Sequence, residues 1–444
     1  MTDSAIRRSL RLSLIEGLLW AVMVGVTESY FGAVAVELGH GPTALALLAT
    51  IPVVAGAVSQ LAAPPLVALL GSRQRLVVVG AVVQAASLLL FLRIAVTADH
   101  GLAILLAATI LYWIAGNVIA PAWNAWVADL TRSISRERWF ARRSGAIHFA
   151  LLVAFVGGGI GLDHAQHAGA TLVGYAWLFG LGAVARLGSA TGLALKLDPE
   201  AGAASDDRTG RIRDTLTRGK FRVAVFLALF MLAAHLSVPF FTPYMLRELH
   251  LSLLEYALLT AVAILAKSLA FPAWGRIAPR MGMPGILVTS SLVVACLPWC
   301  WTVFTDFETL CVVQVVSGAA WAGLEYASLQ LLLRDAPRGR EVEYFALTSS
   351  LSGGLQVGGG LAGSWLVGLP GGGYHTAFRA SSIGRFLAIA VLAPFARDLV
   401  IRGPLPALIT RIVSMGTHTG TERRPIAPTD SMRPPPEPPE PEHK

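Results

Sequence analysis

The sequence predicts an all-α membrane protein: twelve transmembrane helices arranged as two six-helix pseudo-repeats. Three observations carry that prediction. Hydrophobic residues make up 55% of the 444 residues and charged ones only 14%, against about 25% charged in a soluble domain. The apolar residues gather into twelve runs, each near the roughly 20 residues that cross a bilayer. Short motifs then recur in the same order in the two halves of the chain.

In order, the runs cover approximately 10–38, 43–70, 76–97, 102–128, 141–165, 170–196, 220–248, 251–279, 285–304, 307–334, 343–368 and 374–399. Glycine and proline inside them are compatible with helix in lipid, where neighbouring helices satisfy freed backbone groups. The start, "RRSLRLSLIEGLLWAVMVGV", lacks a small-residue cleavage site and its apolar run is long enough to span. It is therefore read as the first transmembrane helix and not as a signal peptide.

The net charge is +8, and the basic residues sit in the short gaps between runs. That distribution is topological and argues against nucleic acid as a partner. With the N-terminus inside, 29 of the 35 Lys and Arg fall on the cytoplasmic side, and little beyond Arg93 and Arg247 marks the outer ends. The positive-inside bias predicts a cell inner membrane protein with both termini cytoplasmic. The segment "PAWNAWVADLTRSISRERWFARRS" (121–144) then becomes the inner end of helix 4, a cytoplasmic turn and the start of helix 5. Trp123, Trp126 and Trp139 are expected at headgroup level, and the arginines against the anionic inner leaflet.

The expected division is a first half 1–196, a cytoplasmic linker 197–219, a second half 220–399 and a tail 400–444. Residues 404–415 are expected along the membrane surface. The polar, proline-rich stretch from about 416 cannot build a core and is expected to be disordered. Cys296, Cys300 and Cys311 all lie in apolar runs and read as buried, inert thiols. Their odd number and spacing fit neither a disulfide framework nor a zinc site.

The halves echo each other. Glu37 of "ELGH" and Glu248 of "ELH" end helices 1 and 7, and Gly71 and Gly282 follow helices 2 and 8 at the same offset of 211. "TRSISRERWFA" after helix 4 answers "PRGREVEYFA" after helix 10. Gly174, Tyr175, Phe179 and Arg186 of helix 6 answer Gly373, Tyr374, Phe378 and Arg385 of helix 12 at offset 199. Offsets that shrink in small steps are what loop shortening between duplicated halves produces. Parallel repeats of this kind occur in secondary transporters.

Over roughly 10–399 the chain resembles the major facilitator superfamily. That family carries a loop of the form G-x-x-x-D-R-x-G-R/K between helices 2 and 3, repeated between 8 and 9. The second copy here, "GRIAPRMGMP", keeps Gly275, Arg280 and Gly282 but has Pro279 for the aspartate. The first, "PPLVALLGSRQR", keeps Gly71 with Arg73 and Arg75. The resemblance implies alternating access, with helices 1, 4, 7 and 10 around a central cavity; it does not identify a substrate subfamily.

Ionisable groups inside a bilayer are costly and mark pathways or pairs. Here they are Glu28 on helix 1, His235 on helix 7, Lys267 on helix 8 and Glu325 on helix 10. Glu28 reads either as a proton-coupling carboxylate or as a structural ion pair with Lys267; His235 reads as a satisfied core histidine. Gln314, Trp321, Glu325 and Ser328 share one face of helix 10, and Trp113, Asn117 and Asn124 one face of helix 4. Each stripe either lines a cavity or glues the bundle by interhelical hydrogen bonds. Arg186 and Arg385 read as structural. The glycine runs 156–161 and 353–363 allow either close packing or sliding. At the cytoplasmic ends, Asp129, Arg142, Arg143, Arg280 and Arg338 are expected to form a gate, with ion pairs across the seam when that side closes.

No nucleotide-binding loop, zinc-protease motif or hydrolase nucleophile elbow is present in the sequence, so neither an enzyme nor a chain with its own ATPase site is expected. The reading is a monomeric secondary active transporter moving a small solute by alternating access, with protons as candidate coupling ions, the lipid bilayer as surroundings, and no cofactor or metal. The alternative is a transporter-like receptor or anchor acting through the proline-rich tail.

Overall fold

A computed structural model describes residues 3–132, 134–198 and 220–390. The linker beyond 198, the end of the helix 12 run and the tail, including 404–415 and the stretch from 416, lie outside them. The described residues form the twelve expected helices. We number these α1 to α12.

Four are interrupted rods. α1 (3–37) runs as helix Asp3–Thr27, a tight turn Glu28–Tyr30 and helix Phe31–Glu37. α2 (42–70) breaks at Gln60–Ala62, just before Pro64 and Pro65. α4 (102–130) is Leu102–Val118 and Ala120–Leu130; Pro121 cannot donate the next helical hydrogen bond. α7 (222–247) breaks at Val238–Phe240, around Pro239. α3 is Arg73–Thr97, α5 Arg136–His167 and α6 Thr171–Ala194. α8 (253–281) and α9 (283–303) are joined only by Gly282, whose φ of 70° and ψ of 157° break the helix. α10 is Phe307–Asp335, α11 Glu341–Gly368 and α12 Tyr374–Ala390.

Packing repeats six helices on. α1 lies against α5 and α6, α2 against α4, and α3 against α6. Their counterparts are α7 against α11 and α12, α8 against α10, and α9 against α12. The turn at Glu28–Tyr30 corresponds to that at Val238–Phe240, and each rod restarts on a phenylalanine. Phe31 stacks on Phe91 at 4.4 Å, and Phe91 lies 5.1 Å from Phe179. In the second half Phe241 meets Trp301 at 5.3 Å and stacks on Phe378 at 4.6 Å. These aromatic nests hold each six-helix unit together, since paired rings add to their area burial.

The repeated glycines are explained by backbone geometry. Gly71 ends α2 at φ 71° and Gly282 ends α8 at φ 70°, a region that L residues with a Cβ avoid. In α11, a Cβ on Gly359 would come within 2.2 Å of the Leu232 carbonyl, and one on Gly363 within 2.3 Å of that of Leu236. That part of the glycine run lets α11 lie directly on α7.

The halves meet through α2 against α11, α4 against α11, and α5 against α8. Ser350 donates to the Ala57 carbonyl at 3.0 Å, Ser268 to that of Gly145 at 3.2 Å, and Tyr326 to that of Glu137 at 2.9 Å. Two sequence expectations change. Trp126, expected against the headgroups, is fully buried and donates to the Leu197 carbonyl at 2.8 Å; helix rotation turns its ring into the bundle and not toward lipid. Cys296 is exposed, with Cys300 and Cys311 partly so, because they lie on outward faces of α9 and α10.

Candidate functional site

Three polar centres interrupt the apolar interior. The first joins both halves. Lys267 on α8 donates to Glu325 Oε1 on α10 at 2.5 Å, and His148 Nε2 on α5 lies 3.9 Å from Glu325 Oε2. The Glu325 side chain is 41% exposed and that of Lys267 22%. His148 also packs on the Phe271 ring at 4.9 Å. The sequence reading missed His148, although a histidine inside an apolar run was the available signal. Lys267 belongs to this centre, so the alternative pairing with Glu28 is not what forms.

The second centre is Glu28. Tyr112 on α4 donates to its Oε1 at 2.8 Å. The turn Glu28–Tyr30 points the carboxylate into the first half, with no acid at the matching Val238.

The third lies inside the first half, toward its arginine-rich end. Glu16 on α1 takes Arg143 at 3.2 Å and Lys196 at 3.7 Å. Trp123 donates to the same oxygen at 3.3 Å, and so does Ser13 at 3.3 Å. Arg143 lies 4.6 Å over the Trp123 ring, and Lys196 4.3 Å over that of Trp126. Such rings help hold a desolvated cation. Lys196 lies two residues beyond α6, and burial pushes its ammonium down to about 8 against the pull of Glu16. The tryptophan-rich end of α4 is therefore a cradle for buried cations.

The remaining expected residues separate. A cavity of about 320 Å³ between the halves is lined by Trp113, Asn117 and Gln60 with Ser352 and Gln356 of α11. Asn124 lines a different chamber, because the break at Ile119 resets the face of α4. On α10, Gln314 donates to the Leu259 carbonyl at 3.3 Å and Trp321 packs against the second-half core. That stripe therefore both glues α10 to α8 and presents Glu325. His235 is held by the Met231 carbonyl, 2.9 Å from Nδ1.

At the arginine-rich end Arg73 lies 2.6 Å from Asp129 and 3.1 Å from Asp198. Arg132 pairs with Asp129 at 2.5 Å and reaches Glu341 of the other half at 3.3 Å. At this end a described ion pair across the seam runs through Arg132. Arg143, expected at the gate, is turned inward onto Glu16, while Arg142, Arg280 and Arg338 are exposed.

A family model described as "MFS_1 like family" matches residues 17–380. Among solved structures, a bacterial homologue of the iron transporter ferroportin in an outward-facing state shares 17% identity at a TM-score of 0.67, covering 87% of this chain and 99% of its own. The E. coli fucose:proton symporter FucP shares 15% at 0.68, covering 88% and 99%. The proton:xylose symporter XylE shares 13% at 0.68, covering 89% and 96%. No curated protein matches the sequence.

Proposed function

The chain belongs to the MFS_1-like family of major facilitator transporters, and from that premise we propose that it moves a small solute by proton-coupled alternating access, with Glu325 as the coupling carboxylate. The observation that carries this reading is the His148, Lys267 and Glu325 cluster, which spans the seam between the halves. When Glu325 is ionised it pairs with Lys267 and faces His148. When it is protonated the pair loses its charge attraction, and the contact that Glu325 makes across the seam with His148 of α5 changes with it. Rocking one half carries His148 away from Glu325, so each conformation prefers a different protonation state. A ligand shifts such an equilibrium only through differential affinity for the two states, and here the proton is that ligand. Two of the structural neighbours are named as proton symporters, which agrees with this choice of ion.

The positive-inside bias places the arginine-rich end and both termini in the cytoplasm. In that orientation the pairing of Arg132 with Glu341 closes the cytoplasmic side, and the molecule faces outward. The solute path runs between the halves, past Trp113 and Asn117 and past His148 at the seam, with Glu28 as a secondary carboxylate. The solute leaves chemically unchanged, so no catalytic role is assigned. The alternative, a receptor acting through the tail, falls on residues outside the described ones.

The test is proton movement in proteoliposomes carrying a trapped pH-sensitive dye, on addition of sugars, amino acids, organic acids or organic cations. At least one class should move protons with wild type and not with Glu325→Gln, while solute exchange persists. Net uptake of a solute by wild type without proton movement would refute the coupling.

A further inference from the structure

Coupling at Glu325 makes no use of Arg186. This residue on α6 is only 3% exposed. Its guanidinium donates one described hydrogen bond, to Ser189 Oγ at 3.1 Å on the same helix, and its buried Nε has no partner. It lines a chamber of about 310 Å³ inside the first half, together with Arg143, Glu16, Asn124 and His148. Glu16 is the one acid among the chamber's lining residues, and Arg143 and Lys196 already share it at 3.2 and 3.7 Å. Glu28 is bonded to Tyr112 and lies outside the lining. The chamber therefore carries uncompensated positive charge. A buried cation is costly unless an anion meets it.

The repeat supplies the control. Arg385 holds the matching place in α12 and is 2% exposed. It donates to the Val294 carbonyl at 2.7 Å, to the Ala234 carbonyl at 3.4 Å and to Ser237 Oγ at 3.1 Å, while its Nε, like that of Arg186, has no partner. Three bonds tie one arginine to neighbouring helices of its own half; the other keeps a single bond within its helix and faces a space. That space lies at the small end of the roughly 300–1,000 Å³ that ligand pockets occupy. A planar guanidinium fork suits a carboxylate or a phosphate.

We propose that this chamber binds the anionic group of the transported solute, a carboxylate or phosphate, against Arg186, with Arg143 adding positive charge. That the anion is the cargo rests on the transport reading; its binding at Arg186 does not. His148 lines the chamber and stands 3.9 Å from Glu325, so a bound anion adjoins the group that exchanges the proton.

The experiment uses the full chain in nanodiscs of phosphatidylcholine, titrated calorimetrically with lactate, succinate and inorganic phosphate, and with lactamide and succinamide as neutral counterparts. At least one anion should bind and the neutral compounds should not. Arg186→Gln should weaken that binding about tenfold or more, as loss of a charge-assisted pair does. Asn124→Asp adds an acid to the chamber, leaves every buried arginine in place, and should weaken binding in the same direction. Arg385→Gln, where folded, should leave affinity within about twofold. Nanodiscs containing phosphatidylglycerol separate the sources: unchanged affinity assigns the chamber to a soluble anion, and competition assigns it to a lipid headgroup and overturns the cargo. A folded wild type that binds no anion, or undiminished binding in Asn124→Asp, overturns the site. Anion binding without proton movement would strike only the coupling reading.

Discussion

The interiors of the two halves differ in charge although their helices pack alike. Where α1 carries Glu16, the matching place on α7 is Phe226, fully buried and 5.4 Å from Phe230. Where α5 carries Arg143, α11 carries Thr348, which bonds its own helix at the Tyr344 carbonyl. Arg186 leans on a single serine, whereas Arg385 is tied to α7 and α9 by three hydrogen bonds. Duplication thus preserved the frame and released the interior. The second half became the apolar and hydrogen-bonded scaffold, with its charge pair at the seam. The first half kept a cluster of buried cations sharing one acid, where the second half holds the interior Arg385 by hydrogen bonds.

The largest way to break that contrast is to remove the shared acid. Glu16→Gln leaves Arg143 and Lys196 buried without a carboxylate and should cost about 3–5 kcal/mol. It should appear as a collapse of monodisperse protein after extraction; a yield and melting temperature near wild type would show that the cluster is hydrated. Next comes the arginine pair. Arg385→Gln strands carbonyl acceptors in α7 and α9 and should cost about 2–3 kcal/mol. Arg186→Gln gives up one bond and should cost about 1 kcal/mol at most. Equal melting temperatures for the two variants would erase the distinction.

A smaller effect is expected at the seam. The Arg132 side chain is 49% exposed, so its pairing with Glu341 is worth at most about 1 kcal/mol. Arg132→Ala should change the balance of the two conformations about fivefold or less, read as labelling of a cysteine placed at Ser350. No change in labelling would leave the pair without a gating role. A last contrast is the pH dependence from Lys196. Its folded value is lowered from 10.5 to about 8, so between those values the folded chain holds fewer protons than the unfolded one. Stability should therefore rise with pH across that window. Lys196→Met should flatten the rise in melting temperature; an identical slope would place its origin elsewhere.

Hydropathy made the helices legible because span length and apolar content are local properties. The pairing of Gly71 with Gly282 was legible because positive φ demands the same residue in both copies. The aromatic nests were not. Phe31 with Phe241 and Phe91 with Trp301 recur at a common offset, but as isolated residues without a shared run, and they align only when the rods are placed. Partner choice was the least legible. Lys267 had Glu28 and Glu325 as possible partners, and only the placement of α10 beside α8 selects Glu325. Trp126 looked like an interfacial residue until the rotation of α4 buried it.

The most direct test of coupling at Glu325 needs no solute. Spin labels at Glu37→Cys on α1 and Glu248→Cys on α7, with Cys296, Cys300 and Cys311 changed to serine, report the separation of the halves opposite the arginine-rich end. Distances would be compared between about pH 8 and about pH 4, a range that takes in the ordinary values of both histidines and carboxylates. Acid should redistribute the distances in wild type and leave those of Glu325→Gln in one fixed population. The same acid response in both proteins would contradict coupling through Glu325.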